Sequence, residues 1–356
     1  PEELVLGTLG NDDSPRNYEL NITAPAPSNP WLRSVAAELT GAGAMPGARA
    51  EQYAFGGFFE TLLGGLTVLS INTLIYSVRH SPPEPAPPDP FGQLAWLRDR
   101  LATASRSGRP VWIVGHIPPG IETFAYTELW QPQYLRAYLD IVQDPELGSV
   151  IAAQLFGHVH ADEFRVLPAA PAGAGPVLLT GALSPIYHSN PTFRLVEYDE
   201  STGRLLNVKV FWAEMPAGGG GGSLEWRFGY DILSAYPALA KAAHRDSGLT
   251  AAGFDDLRSS LRASFSQGGA VWATFVAWYK TQYPNDLTCA TSSPSAASER
   301  RQEQQEEGGG EESGLSKATK ERYFDKYMCA LTVATQEDFE ACAGPFSLRR
   351  VAPTPA

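Results

Sequence analysis

The sequence has no apolar run long enough to cross a bilayer. Its longest stretch of that kind, Thr61 to Ile71, is bounded by Glu60 and Asn72 and broken by Gly64-Gly65, well short of the roughly 20 residues a spanning helix needs. There is no signal peptide and no initiator Met, so an opening of Pro1-Glu2-Glu3-Leu4 reads as the interior of a longer product. Cysteine is scarce. Cys289, Cys329 and Cys342 are an odd set confined to the last quarter, which fits neither a full disulfide framework nor a zinc ribbon. Basic clusters are also missing: 27 Lys and Arg stand against 39 Asp and Glu, a net charge of −12. A phosphate backbone needs clustered cations, so this balance argues against nucleic acid as a partner.

What is present is a globular composition, 43% hydrophobic over 356 residues, enough for one large domain or two ordinary ones. Glycine and proline are abundant, and they concentrate in loops and linkers. Pro216-Ala217 followed by Gly218–Gly222 and Ser223 has the composition of a flexible linker. Ser292 to Ser316 is polar and nearly devoid of apolar residues, the composition of a disordered insertion. The expected division is a first domain over 1–212, a linker over 213–223, a helical C-terminal domain over 224–346 carrying the insertion 292–316, and a tail over 347–356.

The first block reads as alternating strands and helices. Leu66 to Asn72 suits a buried strand, Asp89-Pro90 an N-cap and first helical position, and Leu94, Leu97 and Leu101 an apolar helix face. Val111–Val114 is the next strand, so strand, helix and strand form a right-handed crossover. Tyr134, Leu135, Tyr138, Ile141 and Val142 mark a second helix, and Ile151 to Phe156 a third strand. Phe164–Leu167, Val177–Thr180, Phe193–Tyr198 and Leu205–Phe211 read as short antiparallel strands. The fold class is therefore mixed-sheet α/β. The second block is helical, with Trp272, Phe275, Val276 and Tyr279 at helical spacing and Tyr323, Tyr327, Ala330 and Leu331 repeating the pattern. Such a stripe can face lipid, but a core-facing stripe is the simpler reading.

Two strand ends carry the chemistry. Val111–Val114 runs into Gly115-His116-Ile117-Pro118-Pro119-Gly120, and Ile151–Phe156 into Gly157-His158-Val159-His160. Ligands of open α/β sheets collect at the carboxyl ends of strands, and a glycine there lets the chain turn sharply. One histidine after a strand is unremarkable; two Gly-His ends, one with a second His two residues on, point to metal. In an extended His-x-His the rings face opposite ways, unless the loop bends so that each meets a different ion. His80 and His244 read as surface residues, and His188 as a loop residue that could line a pocket.

These residues resemble the calcineurin-like metallophosphoesterase superfamily and, within it, the acid sphingomyelinase group. The helix Asp89-Pro90-Phe91-Gly92-Gln93-Leu94-Ala95-Trp96-Leu97, the segment Asn190-Pro191-Thr192-Phe193-Arg194 with Tyr198-Asp199, and Phe156 through Phe164 are similar to that group. So are Cys329 and Cys342, which the resemblance pairs as a disulfide. The implied fold is a partial metallophosphoesterase β-sandwich flanked by helices, followed by a small all-α region. Leu4 to Asp13 is similar to the superfamily segment ending Gly-Asn-His-Asp/Glu, which places Asn11 on a metal-ligating amide. Carried over, Asn11, His116 and His158 hold one zinc and His160 contributes to a second. The complete family site has two zincs. Its Asp-x-His element lies upstream of the Asn segment and occurs nowhere in these residues, so one partial site is expected here.

A sharper departure is Asp12, which stands where the family has the histidine thought to help protonate the leaving alkoxide. A carboxylate held ionised by nearby cations cannot donate a proton, though it can take a metal position. The resemblance implies zinc-assisted hydrolysis of a sphingomyelin-like phosphodiester, impaired by Asp12; the alternative is a degenerate homologue acting as a binding or secreted scaffold. The implied partner is a phospholipid or a membrane surface, and specificity belongs to loops such as Ile121–Leu129 and Tyr187–Pro191. A Cys329–Cys342 bridge implies an oxidising compartment, and with the family it points to secretion or to a lysosome or vacuole. Asn21-Ile22-Thr23 is an N-glycosylation acceptor. Cys289 is left as a free thiol or bonded elsewhere.

Overall fold

The computed structural model describes residues 7–23, 29–187, 189–215, 223–282 and 317–344. His188, Cys289, the Gly218–Gly222 linker, the Ser292–Ser316 segment and the 347–356 tail lie outside the described residues, as does the Tyr323 side chain. The architecture is mixed α/β. A six-stranded sheet has the order β1 (Phe59–Leu63), β2 (Leu66–Ser70), β3 (Val111–Val114), β4 (Ile151–Phe156), β6 (Val177–Leu179), β5 (Glu163–Arg165). Its four central strands, β2, β3, β4 and β6, are parallel, and an antiparallel strand closes each edge. A second, antiparallel sheet joins β7 (Thr192–Tyr198), β8 (Leu205–Trp212) and β9 (Arg227–Asp231).

The apolar run Thr61–Ile71 resolves into the β1–β2 hairpin, with Gly64-Gly65 at its turn. Helix α1 (Pro30–Gly41) and α2 (Ala50–Gly56) precede it, and α3 (Gln93–Ser107) makes the crossover from β2 to β3. The expected start of α3 at Pro90 is displaced to Gln93. Phe91 (φ 57°) and Gly92 (φ 68°) are left-handed and break the helix there, yet the Asp89 carboxylate still caps it, accepting from the amides of Leu94 (2.8 Å) and Ala95 (3.0 Å). Buried Gln93 then locks α3 to the end of β2: its amide oxygen accepts from Asn72 N (2.7 Å), and its amide nitrogen donates to Asn72 O (3.0 Å). Helix α4 (Pro132–Val142) buries all five residues of its expected apolar face, and α5 (Pro145–Gly148) leads into β4.

Two strand expectations need correcting. Val177–Leu179 pairs antiparallel with β5, as expected, but its other edge runs parallel to β4, because the chain skips a place from β4 to β5 and then turns back to fill it. The second block is not helical throughout either, since β9 pairs with β8. After β9 come α6 (Ile232–Ala235), α7 (Pro237–Asp246), α8 (Ala251–Ser266), α9 (Ala270–Tyr279), α10 (Lys317–Ala330) and α11 (Gln336–Ala343). The α9 stripe of Trp272, Phe275, Val276 and Tyr279 is buried, packing with Tyr327 of α10 and Phe164 of β5 into a second core. Cys329 and Cys342 form a disulfide between α10 and α11. Among the described residues no helix is long and apolar enough to cross a membrane.

Candidate metal centre

Three chain segments converge at the carboxyl ends of β3 and β4. The first is a single 3-10 turn, Asn11–Asp13, in which Asp13 Oδ2 accepts from Gly10 N (2.8 Å) and the Asp13 carbonyl accepts from Trp31 Nε1 (3.0 Å). Asn11 is buried there, and its amide nitrogen donates to Asn17 Oδ1 (2.9 Å). That bond fixes which way the amide faces: Oδ1 points inward. The second segment follows β3. Ile117 N donates to Thr73 Oγ1 (2.8 Å), and Ile117 O accepts from Trp130 Nε1 (3.1 Å), so both neighbours of the His116 loop pin it. A Cβ on Gly115 would come within 2.9 Å of both Phe156 and Thr73, so glycine is needed for space.

The third segment is the turn after β4, and here the expected role of glycine moves. Gly157 has no left-handed backbone; His158 (φ 69°) and His160 (φ 51°) take that conformation instead. Non-glycine residues held there cost on the order of 1–3 kcal/mol each and gather at functional sites.

The result is a triangle of heteroatoms. His116 Nε2 lies 2.8 Å from Asn11 Oδ1, His158 Nδ1 lies 3.0 Å from the same oxygen, and the two ring nitrogens are 3.2 Å apart. Protons alone satisfy this poorly, because two ring N–H groups aimed at one oxygen also face each other. One cation accepts all three lone pairs. Tetrahedral zinc at about 2.0–2.1 Å from N and O ligands would separate them by about 3.3 Å, close to what is seen, so Asn11, His116 and His158 fit one ion. Among the described residues no three His, Cys, Asp or Glu side chains form such a group; the triangle depends on the Asn11 amide.

Electrostatics favour the ligand form. Burial pulls the His158 imidazole down to about 3, helped by His116, and burial also holds His116 and His160 below the ordinary histidine value. His158 Nε2 sits 3.3 Å from the Tyr18 hydroxyl, which orients the ring from behind. Tyr18 itself is left-handed (φ 66°), and its ring lies 5.3 Å from the Arg79 guanidinium.

His160 stands apart. No hydrogen bond joins it to the triangle among the described residues; its Nδ1 is buried without a partner among them, and the exposed Tyr187 ring packs edge-on at 5.2 Å. Asp12 is exposed beside the centre, with its charge acting on His116, His160 and Tyr18.

Several known proteins are similar to the chain. No family model matches the chain. It is 32% identical over 186 residues to sphingomyelinase phosphodiesterase D of Dictyostelium discoideum, covering 51% of this chain and 42% of that protein. It is 27% identical over 249 residues to sphingomyelinase phosphodiesterase C of the same organism, covering 65% and 53%. To human acid sphingomyelinase-like phosphodiesterase 3b it is 29% identical over 272 residues, covering 68% and 55%. The chain is similar to acid sphingomyelinase-like phosphodiesterases. These relatives are named as phosphodiesterases, and the chain spans about half the length of the relatives it matches.

Other residues of the chain fall outside the sequence reading. His80, expected on the surface, is buried, with Nε2 2.9 Å from Leu20 O, because the 11–23 segment folds over it. Tyr18 carried no sequence signal, being 140 residues from the ring it orients. Asn21 is exposed; its side-chain oxygen accepts from both Thr23 N and Thr23 Oγ1, and the acceptor motif is accessible.

Proposed function

We propose that this chain carries the phosphodiester-hydrolysing centre of a sphingomyelin phosphodiesterase-like protein, with Asn11, His116 and His158 holding a zinc ion and His160 serving a second. The observation that carries this reading is the convergence of three lone-pair atoms within 2.8–3.2 Å on buried imidazoles. Zinc bound there would neutralise charge on a phosphoryl group and acidify water for attack on phosphorus. The chain's own residues do the rest. Asn17 and Tyr18 aim the Asn11 and His158 ligands, and burial keeps the rings neutral so that their lone pairs stay available.

Asp12 sets the rate. A carboxylate offers no proton to a departing alkoxide, and general acid help is worth about 10²–10⁴-fold, so turnover is impaired. Leu183, Ile186, Tyr187 and Phe124 are exposed apolar residues on the loops beside His160 and on the Ile121–Leu129 segment, which supports a phospholipid or membrane surface as partner. The disulfide and the exposed Asn21 acceptor support an oxidising, secreted or lysosomal setting.

The test is turnover of a chromogenic phosphodiester by residues 1–356 with added zinc, for the chain as it stands and for Asp12→His. A gain of about 10²–10⁴-fold in kcat with Asp12→His supports the reading. Unmodified turnover equal to that of a full-length relative removes the impairment. Because Asp12 replaces the family donor, a second reading is a zinc-binding scaffold, which binds zinc but stays inactive with either residue. Failure to bind zinc at all removes the centre.

A further inference from the structure

The turn that carries His158 and His160 is held from a part of the chain more than 100 residues away. Its own hydrogen bond, Val159 N to Gly157 O (2.8 Å), closes one side only. The carbonyls of Val159 and His160 converge instead on a single ammonium: Lys280 Nζ donates to His160 O (3.0 Å) and Val159 O (3.3 Å). Lys280 is the residue immediately after α9, and its neighbours make parallel contacts. Tyr279 O accepts from Asp162 N (2.9 Å), and Thr281 O accepts from Asn190 Nδ2 (2.9 Å). Three consecutive residues therefore grip the metal turn and the loop that follows Tyr187.

The geometry has a physical consequence. His158 and His160 occupy left-handed backbone, which persists only where the surroundings over-determine it. Flipping either peptide would point its carbonyl away from Lys280 and break one of the two charge-assisted bonds that tie it to this turn. Charge-assisted hydrogen bonds are about twice as strong as neutral ones, so one ammonium bonded to two successive carbonyls suits this task. The stripe of α9 that buries Trp272, Phe275 and Val276 fixes where that ammonium stands.

We propose that Lys280 is a positioning residue that holds the His158–His160 turn in its ligating conformation, making the end of α9 part of the metal centre. The claim rests partly on the zinc reading, so its test has an arm that needs no metal. Hydrogen exchange of the peptide spanning 157–162 is measured in chelator for the unmodified chain, Lys280→Met, Lys280→Arg and the exposed control Lys241→Met. Zinc affinity is measured on the same four by calorimetry. Lys280→Met is expected to speed exchange in that peptide about 10-fold and weaken zinc about 10–100-fold, with a melting temperature close to that of Lys241→Met. Lys280→Arg, which keeps charge and donors, should recover most of both. Unchanged exchange and affinity in Lys280→Met overturn the proposal, as does loss in Lys241→Met to the same degree. Should Lys280→Met fail to fold, Lys280→Gln is judged by the same two readouts. If the unmodified chain takes up no zinc, the metal reading falls, and the exchange rates alone decide the positioning role.

Discussion

Two polar clusters adjoin at the segment from His158 to Arg165, and their hydrogen bonding differs. In β5, Glu163 and Arg165 have fully buried side chains. Every carboxylate oxygen of Glu163 has a donor: Thr123 and Tyr327 hydroxyls reach Oε1, and Arg165 reaches Oε2. At the carboxyl ends of β3 and β4, Asn11, His116 and His158 turn acceptors toward one another, His160 keeps a buried nitrogen without a partner among the described residues, and two backbones are left-handed. In the first cluster protein donors satisfy the carboxylate, while Arg165 Nε has no partner among the described residues. The second gathers lone-pair atoms in the way that suits the cation proposed above. A buried carboxylate met by protein donors holds the sheet to the helical layer, and converging lone pairs suit a ligand.

The largest effect should come from the Glu163–Arg165 cluster. Glu163→Ala leaves the Arg165 guanidinium buried without its counter-charge, which typically costs roughly 3–5 kcal/mol. For a chain of this size that lowers the melting temperature by roughly 10 °C. Differential scanning calorimetry in chelator reads it. A shift of a degree or two would erase the contrast, because the pair would then be as dispensable to folding as the ligand triangle.

The ligand triangle should answer the other way. His116→Ala is expected to weaken zinc on the order of 100-fold or more, while the metal-free protein changes by no more than about 1 kcal/mol. Parallel zinc titration and chelator melts make the comparison. A metal-free loss as large as that of Glu163→Ala would make His116 a structural polar group like its neighbour.

The contrast also shows what a sequence can carry. His116 and His158 were legible because each follows a buried strand through a glycine, and the carboxyl end of a parallel strand is where ligands gather. Asn11 became legible only through resemblance, since its fitness depends on Asn17 fixing the amide. Tyr18 and Lys280 were not legible at all. Each reaches the site by a single long side chain from more than 100 residues away, and no local spacing records such a contact. The Glu163–Arg165 pair shares one face of a strand, a pattern usual on solvated edges. Its burial follows from Tyr279 and Tyr327 of the covering helices, which no strand periodicity reports. The parallel pairing of β6 with β4 was hidden for a similar reason: β5 and β6 are short buried runs, and which neighbour each takes is not recorded in their periodicity.

The smallest effect is the most specific to the ligand cluster. An imidazole with an ordinary value near 6.5 when unfolded and about 3 when folded binds fewer protons in the native state between those limits. Stability of the metal-free chain is therefore full above pH 6.5 and falls as pH drops through 6.5 toward 3, where the loss levels off. His158 contributes at most about 1.4 kcal/mol per pH unit to that slope, and His116 and His160 act in the same direction. Urea midpoints in chelator from pH 4 to 7 should show the slope, and His158→Asn should flatten it by one proton's worth. An unchanged slope would mean that His158 is solvated rather than desolvated in the fold. The same desolvation bears on zinc. Ligation by free imidazoles requires expelling protons at pH 5, whereas rings already neutral in the fold have none to expel. Zinc affinity of the native chain should therefore fall less between pH 7 and pH 5 than that of free imidazoles.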